Sequence, residues 1–331
     1  MELRRLGRTS IEVSLIGFGC GTVSGLMVRG TQQEQDRAVN RAVDLGINYF
    51  DTAAAYGEGA SEQNLGRALR SVRSDVVVGT KVMIRAGERA RIGEAVVAAL
   101  DASLKRLGRE RVDLVQLHNA VSAVAGGRSL DTESVLHEVA PAFELLRRQG
   151  KARFCGLTAL GETAAILQVI ESRHFDTVQV VYNLLNPSAA GAVPPGFPAQ
   201  DYGGLLARAN EAGMGTIAIR ALAGGALCPD SVRHPLAKSE VDPMGSGSSF
   251  AADAERARRL EPLVREGHAG SLAEAALRFA ASCDGVSTVV LGLSSVEQLE
   301  TAARAVDKGP LTPTALERVR TLQSSFVGEP R

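Results

Sequence analysis

The chain has 331 residues, and its 37 Lys and Arg residues are balanced by 37 Asp and Glu residues. Without excess positive charge, it is not expected to bind nucleic acid or an anionic membrane surface. Its four cysteines are far apart and form no C-x-x-C pair, and no apolar stretch approaches the roughly 20 residues of a membrane helix, so we expect a soluble protein of the reducing cytoplasm.

The N-terminus is predicted to form a β-hairpin, because residues 3–6 and 11–14 flank the turn sequence GRTS. From residue 15 to residue 306, short runs rich in Val and Ile alternate with amphipathic segments, as in strand and helix units around a parallel sheet. The predicted strands are residues 15–19, 47–51, 76–80, 112–118, 154–158, 177–182, 216–220 and 286–292. Eight units predict an α/β fold, the closed (β/α)8 barrel, with residues 1–331 as one domain.

Helices are predicted over residues 34–45, 92–107, 134–148 and 271–281, where apolar side chains recur at helical spacing. Thr312 and Pro313 predict the start of an extra C-terminal helix over residues 315–325. Three connections after strands are unusually long, residues 120–132, 186–203 and 221–251. Such loops rise over the functional end of a barrel, so we expect the last one to form a lid there.

Four polar residues lie at or just after predicted strand ends: Asp51 and Tyr56 in NYFDTAAAYG (48–57), Lys81 in VVVGTK (76–81) and His118 in VDLVQLH (112–118). A tyrosine hydroxyl can give a proton to an oxygen that gains charge, but its ordinary pKa near ~10 makes it reluctant. An ammonium such as Lys81 would lower that pKa, and a carboxylate such as Asp51 would hold the lysine charged and aimed. His118 would then orient the substrate oxygen.

In the type, order and local sequence of these four residues the chain resembles the aldo-keto reductase family, and the resemblance covers nearly the whole chain. It implies an NAD(P)-dependent oxidoreductase that reduces aldehydes or ketones to alcohols, or the reverse, by hydride transfer. Tyr56 would be its proton donor, and the N-terminal hairpin would plug the barrel floor. The resemblance also implies a nicotinamide cofactor extended across the barrel mouth, at the matching positions Gly19, Cys20, Gly21, Thr158, Ala159, Gln179, Arg220, Gly292, Ser294, Ser295 and Gln298.

The chain departs from the family pattern in two parts of this cofactor site. Thr158 and Ala159 stand where family members commonly carry Ser-Asn, so the carboxamide loses one side-chain partner, for which Gln179 could compensate. The segment 292–303, which matches the part that holds the adenosine phosphate, contains no Lys or Arg to grip a 2′-phosphate. A helix that begins near Val296 could bind phosphate through its free amides. The family favours NADP(H), with NAD(H) as the alternative.

Arg220 occupies a position where many relatives place an aromatic ring that stacks on the nicotinamide. A planar guanidinium can also stack, or it can turn to solvent or to the cofactor pyrophosphate, and both placements stay open. The resemblance implies a small-molecule carbonyl or alcohol compound as the substrate. Because the chain has no Trp and few aromatic residues, we expect its stacking surfaces to be Phe18, Tyr56, Tyr182 and Phe197, with aliphatic Val23, Leu26 and Met27 beside them. The sequence does not indicate an oligomeric state.

Parts of the sequence also suggest three other folds or functions. The segment GFGCG at residues 17–21 superficially resembles a dinucleotide-binding fingerprint, but that motif needs a helix that starts directly at its glycines, and residues 22–30 have no helical apolar repeat. A metal-dependent barrel hydrolase would need His ligands, and the five histidines include no close pair of ligand type, so no metal is expected. A non-catalytic subunit of the same fold that senses the nicotinamide cofactor stays open, since it would bind in the same way.

Overall fold

A computed structural model describes residues 1–229 and 231–327. Position 230, in the predicted 221–251 loop, and positions 328–331, in the predicted 1–331 domain, lie outside the described residues. Its strands are β1 (Leu3–Arg5), β2 (Glu12–Ser14), β3 (Ile16–Gly19), β4 (Tyr49–Asp51), β5 (Val77–Val82), β6 (Val112–Leu117), β7 (Ala120–Ser122), β8 (Ser129–Asp131), β9 (Ala152–Thr158), β10 (Thr177–Val181), β11 (Gly215–Ile219) and β12 (Thr288–Gly292). Eight parallel strands close into a barrel in the order β10, β11, β12, β3, β4, β5, β6, β9. The predicted (β/α)8 fold is confirmed, and the doubly wound alternative is wrong.

Helices connect the barrel strands and surround them. They are α1 (Leu26–Arg29), α2 (Gln32–Asp44), α3 (Ala60–Ala68), α4 (Ile92–Leu107), α5 (Thr132–Ser134), α6 (Ala140–Arg148), α7 (Thr163–Glu171), α8 (Leu205–Glu211), α9 (Phe250–Arg258), α10 (Pro262–Arg265), α11 (Leu272–Ala281), α12 (Val296–Asp307) and α13 (Pro313–Gln323), with a π-helical turn at Val135–Val139. Local sequence sets several helix starts. Thr31 and Glu34 form a capping box at α2, and Thr312 caps α13 with Pro313 in its first turn. The predicted extra C-terminal helix is therefore present.

The N-terminal hairpin closes the barrel at the end opposite the strand C-termini. Strands β1 and β2 pair antiparallel, and Leu6, Ile11 and Val13 pack in an apolar cluster with side chains of the barrel strands. Gly7 has a left-handed φ of 54°, and a Cβ there would lie 2.1 Å from the backbone nitrogen of Gly215. Only glycine permits this close approach, so the turn seals the floor of the barrel.

Two of the three long connections contain more structure than expected. Residues 120–132 hold β7 and β8, which form a small sheet of their own that was not predicted from the sequence. The 221–251 connection begins with a short helical turn at Ala223–Gly225 and then crosses to the loop after β3. There the Lys238 amide donates to Val23 O at 2.8 Å, and Arg29 Nε donates to Leu236 O at 2.8 Å. The connection therefore lies beside the C-terminal end of β3, and its function as a lid stays a prediction.

Across residues 1–229 and 231–327, the structure contains no helix that is both long enough and apolar enough to span a bilayer.

Candidate active site

The C-terminal ends of β4, β5 and β6 lie side by side because these strands are parallel neighbours. Asp51 ends β4, Lys81 lies near the end of β5, and His118 directly follows β6. Tyr56 lies in the turn between β4 and α3. The structure thus brings the four predicted residues to the end of the barrel where (β/α)8 enzymes place their active sites.

Lys81 links the other members of this group. Its Nζ lies 2.5 Å from Asp51 Oδ2, 3.0 Å from Thr52 O and 3.3 Å from Tyr56 Oη, so each of its three N–H donors has an acceptor. Lys81 and Asp51 are both buried, which makes this a buried ion pair. Burial lowers the pKa of Lys81, but Asp51 and Tyr56 outweigh that effect and leave the pKa raised. The ammonium is therefore charged at neutral pH.

The pKa of Tyr56 lies above its ordinary value, although the effect of Lys81 on it is a lowering one, as predicted. The ring is partly exposed, but its hydroxyl points inward to Lys81, and burial of that hydroxyl is the largest cause of the rise. Lys81 acts in the lowering direction, and Asp51 opposes it. The hydroxyl is therefore protonated at neutral pH, as a proton donor must be.

His118 lies beside Tyr56 with its ring edge-on to the phenol, at a centroid distance of 5.7 Å and an angle of 87°. Burial, together with the positive charges of Lys81 and Arg128, lowers the pKa of His118 to about 3. Its Nδ1 is buried and has no hydrogen-bond partner within the described ranges. A neutral imidazole carries one donor and one acceptor nitrogen, so this ring can orient a polar ligand next to the Tyr56 hydroxyl.

Asp51 accepts hydrogen bonds from three side chains inside the barrel. Its Oδ1 accepts from Gln179 Nε2 at 2.6 Å, from Tyr49 Oη at 3.1 Å and from Gln116 Nε2 at 3.4 Å. The structure therefore places the Gln179 amide nitrogen on Asp51, whereas the resemblance assigned Gln179 to the cofactor carboxamide. Sequence reasoning missed Tyr49 and Gln116. The alternation of side chains along a strand could have found Tyr49, since it shares the inner face of β4 with Asp51 two residues on.

The start of α3 supports the strand ends through buried hydroxyl groups. Ser61 Oγ donates to Cys20 O at 2.9 Å and lies 2.8 Å from Thr52 Oγ1. The Cys20 amide donates to Asp51 O at 2.9 Å, while burial raises the pKa of the Cys20 thiol far above the ordinary range. Cys20 thus takes part through its backbone, and its thiol stays neutral.

Thr158 is the last residue of β9, and Ala159 directly follows it at the mouth of the barrel. The Thr158 hydroxyl is buried without a hydrogen-bond partner in the part of the chain that the structure describes. The Ala159 amide donates to Gln179 O at 2.7 Å and is therefore already used. A buried hydroxyl without a hydrogen-bond partner destabilises the fold. A ligand that offers Thr158 Oγ1 an amide or another polar group would remove this cost.

The loop from β12 into α12 contains the last predicted cofactor residues. Ser294 Oγ donates to Ser24 O at 2.7 Å, and its amide donates to Gln298 Oε1 at 2.9 Å. Ser295 caps the helix by accepting from the Gln298 amide at 3.3 Å. Gly292 packs closely against the same segment, since a Cβ there would lie 2.5 Å from Ser24 Oγ. The side chains of Ser294 and Gln298 therefore already have partners within the protein.

Glycines border the phenol where β3 ends. Gly19 is the last residue of β3, and a Cβ there would lie 2.8 Å from Leu291 O on the neighbouring strand. At Gly21 a Cβ would meet nothing closer than Tyr56 Cζ at 4.0 Å. The face of the phenol next to Gly21 is therefore not covered by a side chain from that position.

Arg220 directly follows β11 and has a left-handed φ of 59°, a conformation that costs a residue with a Cβ. Its backbone carbonyl accepts from Asn183 Nδ2 at 2.9 Å, and its Nη1 lies 3.5 Å from Asp242 O. Burial lowers the pKa of Arg220, while Tyr56, Asp242 and Asp253 act in the opposite direction. The side chain thus leans toward the 221–251 connection, and both of its proposed placements stay open.

The expected aromatic and aliphatic lining of the mouth stays a prediction, and most of its side chains have little exposed surface. Phe18, Tyr182, Phe197, Leu26 and Met27 are all buried, and only Tyr56 and Val23 are partly exposed. The aromatic rings pack on other rings instead, with Phe18 against Phe50 and Tyr182 stacked on Phe279 at 5.0 Å between centroids. No group of three His, Cys, Asp or Glu side chains that could hold a metal occurs within residues 1–229 and 231–327.

Comparison with known proteins gives consistent matches along the whole chain. The profile of the Aldo/keto reductase family matches residues 15–324. The chain is 29% identical to L-galactose dehydrogenase of Arabidopsis thaliana, over 92% of this chain and 88% of that protein. It is 27% identical to a putative voltage-gated potassium channel subunit beta of Schizosaccharomyces pombe, over 96% and 92% of the two chains. The structure is similar to aldo-keto reductase AKR11C1 from Bacillus halodurans in its holo form, with a TM-score of 0.73 and 26% identity over 99% and 98% of the two chains.

Proposed function

The chain belongs to the aldo/keto reductase family, and from this premise we propose that it is an NAD(P)(H)-dependent oxidoreductase that interconverts aldehydes or ketones with alcohols. One observation carries the proposal. The Tyr56 hydroxyl stands 3.3 Å from a buried ammonium, which is itself paired with Asp51 at 2.5 Å. A neutral His118 lies beside the phenol. This arrangement can give a proton to an oxygen at the mouth of the barrel and take it back.

The residues at the mouth fit a nicotinamide cofactor, which the family uses. The Thr158 hydroxyl, which is buried without a partner among the described residues, suits a carboxamide, and Gly21 puts no side chain against the partly exposed Tyr56 ring. Ser295 and the first amides of α12 would lie near the adenosine end, with Gly19, Cys20 and Gly292 lining the approach. When bound, the cofactor supplies or accepts the hydride.

In the proposed reaction, Tyr56 gives its hydroxyl proton to the carbonyl oxygen as negative charge develops there. Lys81 stabilises the resulting phenolate, because its ammonium opposes the effect of burial. Asp51 keeps Lys81 charged, and His118 orients the oxygen through a neutral ring nitrogen. In alcohol oxidation the substrate hydroxyl returns its proton to the Tyr56 phenolate. Low pH therefore favours carbonyl reduction and high pH favours alcohol oxidation, since the two directions need opposite protonation states of Tyr56.

We expect discrimination for NADP over NAD of less than about 100-fold, because residues 292–303 contain no Lys or Arg for a charge-assisted contact to the 2′-phosphate. The hydroxyl of Ser294 and the amide oxygen of Gln298 are already used within the protein, which leaves little to replace such a contact. Titration of the cofactor-free protein with both dinucleotides checks this. A larger preference would show that a basic side chain from another loop reaches the phosphate.

Replacing Arg220 by Tyr should tighten the oxidised cofactor relative to the reduced form by roughly 5-fold or more, if the guanidinium stacks on the ring. Oxidised nicotinamide carries a positive charge, so a stacked Arg220 disfavours it, and even about 1 kcal/mol of repulsion is measurable. Dissociation constants of both forms, with wild type and variant side by side, give the result. Equal weakening of both forms would instead assign Arg220 to the pyrophosphate.

The proposed function is tested by incubating the protein with a panel of aldehydes, ketones and alcohols and each of the four nicotinamide cofactors. Absorbance of the reduced cofactor then reports turnover. The panel establishes the reaction, the preferred cofactor and the substrate class together. Substrate-dependent loss of the reduced cofactor with any carbonyl compound supports the proposal.

The similarity to a potassium channel subunit beta keeps a second candidate, a subunit of the same fold that binds the cofactor as a signal without turnover. Cofactor binding is expected in both cases, so affinity alone does not separate them. A protein that binds the cofactor tightly but turns over none of the panel would favour this second candidate. The complete set of Asp51, Tyr56, Lys81 and His118 favours the enzyme.

A further inference from the structure

Beneath the Asp51 carboxylate lies a buried hydrogen-bonding cluster that the reaction scheme does not yet use. It consists of Tyr49, Gln116 and Gln179, from strands β4, β6 and β10, and all three side chains are buried. Each points a donor at the same oxygen, Asp51 Oδ1, at 3.1, 3.4 and 2.6 Å respectively. The opposite oxygen, Oδ2, faces Lys81.

The two carboxylate oxygens of Asp51 therefore have different partners, and this arrangement favours the charged form of the Asp51–Lys81 pair. A carboxylate buried beside an ammonium can relax by taking the proton of its partner, which would leave a neutral pair and remove the charge next to Tyr56. Donors on Oδ1 favour the ionised carboxylate without adding a positive charge of their own. They also fix the plane of the carboxylate, so that Oδ2 points at Lys81.

Glycines on the two neighbouring strands make room for the Tyr49 side chain inside the barrel. A Cβ at Gly79 would lie 2.9 Å from Tyr49 Oη, and a Cβ at Gly17 would lie 2.8 Å from the Tyr49 ring. The two neighbouring strands therefore carry glycine where the Tyr49 ring passes. Burial and the charge of Asp51 raise the pKa of Tyr49 well above its ordinary value, so its hydroxyl stays protonated and can only donate to the carboxylate.

We propose that Tyr49, supported by Gln116 and Gln179, is a positioning residue that keeps Asp51 ionised and aimed at Lys81, and so sets the charge next to the proton donor. The inference deepens the proposed function and rests on it. It gives Tyr49 no contact with substrate or cofactor, since its hydroxyl ends at Asp51. The other titratable groups that face this pair are Lys81, Tyr56 and Cys20, and burial keeps the Cys20 thiol neutral.

The test is Tyr49→Phe, which removes one hydroxyl and keeps the ring. Turnover should fall about 3- to 10-fold with cofactor affinity unchanged, and the rise of alcohol oxidation with pH should move upward, because a less well aimed Lys81 lowers the pKa of Tyr56 less effectively. Tyr202→Phe is the matched control: Tyr202 is equally buried, and it lies in the connection between β10 and α8. It should leave the pH profile in place.

A double-variant comparison separates positioning from packing. In a Lys81→Met background, Tyr49→Phe should cost less than about 2-fold further activity, since its effect acts through that ammonium. A full additional loss there, or an unmoved pH profile of alcohol oxidation in Tyr49→Phe, would overturn the proposal.

A measurement without turnover distinguishes failure of this inference from failure of the proposed function. The ultraviolet absorbance of the phenolate, followed against pH, should show Tyr56 ionising at higher pH in Tyr49→Phe than in wild type, with Tyr56→Phe identifying the Tyr56 signal. Tyr202→Phe should leave the ionisation of Tyr56 in place. An unmoved ionisation of Tyr56 in Tyr49→Phe would contradict the inference even if no carbonyl compound is ever found to react.

Discussion

Replacing Tyr56 by Phe should lower the rate of carbonyl reduction by about 10²-fold or more, which is the worth of a positioned general acid. The variant removes only the hydroxyl, whose hydrogen-bond partner in the protein is Lys81 at 3.3 Å. Because that hydroxyl acts on the substrate oxygen and not on the dinucleotide, cofactor affinity should stay nearly unchanged. Steady-state rates and cofactor titrations of the same preparation give both quantities.

Tyr202→Phe provides the matched control, since it makes the same chemical change at a buried tyrosine of another loop. It should keep wild-type turnover. If Tyr56→Phe retains more than half of the wild-type rate, Tyr56 is not the proton donor.

Replacing Lys81 by Met should reduce turnover and move the rise of alcohol oxidation to higher pH by at least about one unit. Oxidation requires a deprotonated Tyr56. Burial already raises the pKa of Tyr56 and Lys81 is the group that lowers it, so removal of the ammonium raises that pKa further. The measurement is the pH dependence of the oxidation rate in wild type and variant.

Loss of Lys81 also leaves the buried Asp51 without its partner, which destabilises a fold by about 3–5 kcal/mol in comparable cases. A second variant, Lys81→Met with Asp51→Asn, removes this unpaired charge and should recover stability but not activity. Lys105→Met, at an exposed position of α4, controls for the substitution itself. An unmoved oxidation profile in folded Lys81→Met protein would show that the ammonium does not set the pKa of Tyr56.

Much of the fold follows from sequence because its signals are local. The eight Val- and Ile-rich runs each became a barrel strand, with boundaries within a few residues of those expected. Helix α4 begins and ends at the predicted residues, since apolar spacing and Gly108 after its last turn mark it clearly. The small sheet of β7 and β8 was missed, because its three-residue strands are too short to show a period.

The candidate site was likewise predictable only in part. Strand ends in a parallel barrel meet at one rim, so the meeting of Asp51, Lys81 and His118 could be expected from their positions along the chain. The partners of Asp51 on other strands, Gln116 and Gln179, could not, because Gln179 is 128 residues away from Asp51 and the pairing depends on the register of distant strands. The rise in the pKa of Tyr56 could not be predicted from the sequence either, since burial is a property of the folded surroundings and not of the motif.

The most direct test of the central claim follows the absorbance of reduced nicotinamide cofactor with a carbonyl panel, for wild type and Tyr56→Phe in parallel. The account predicts substrate-dependent oxidation of NADPH or NADH by the wild-type protein and a loss of about 10²-fold or more in the variant, with cofactor binding intact in both. Tight cofactor binding with no turnover by the wild-type protein, or equal turnover in the two proteins, would contradict it.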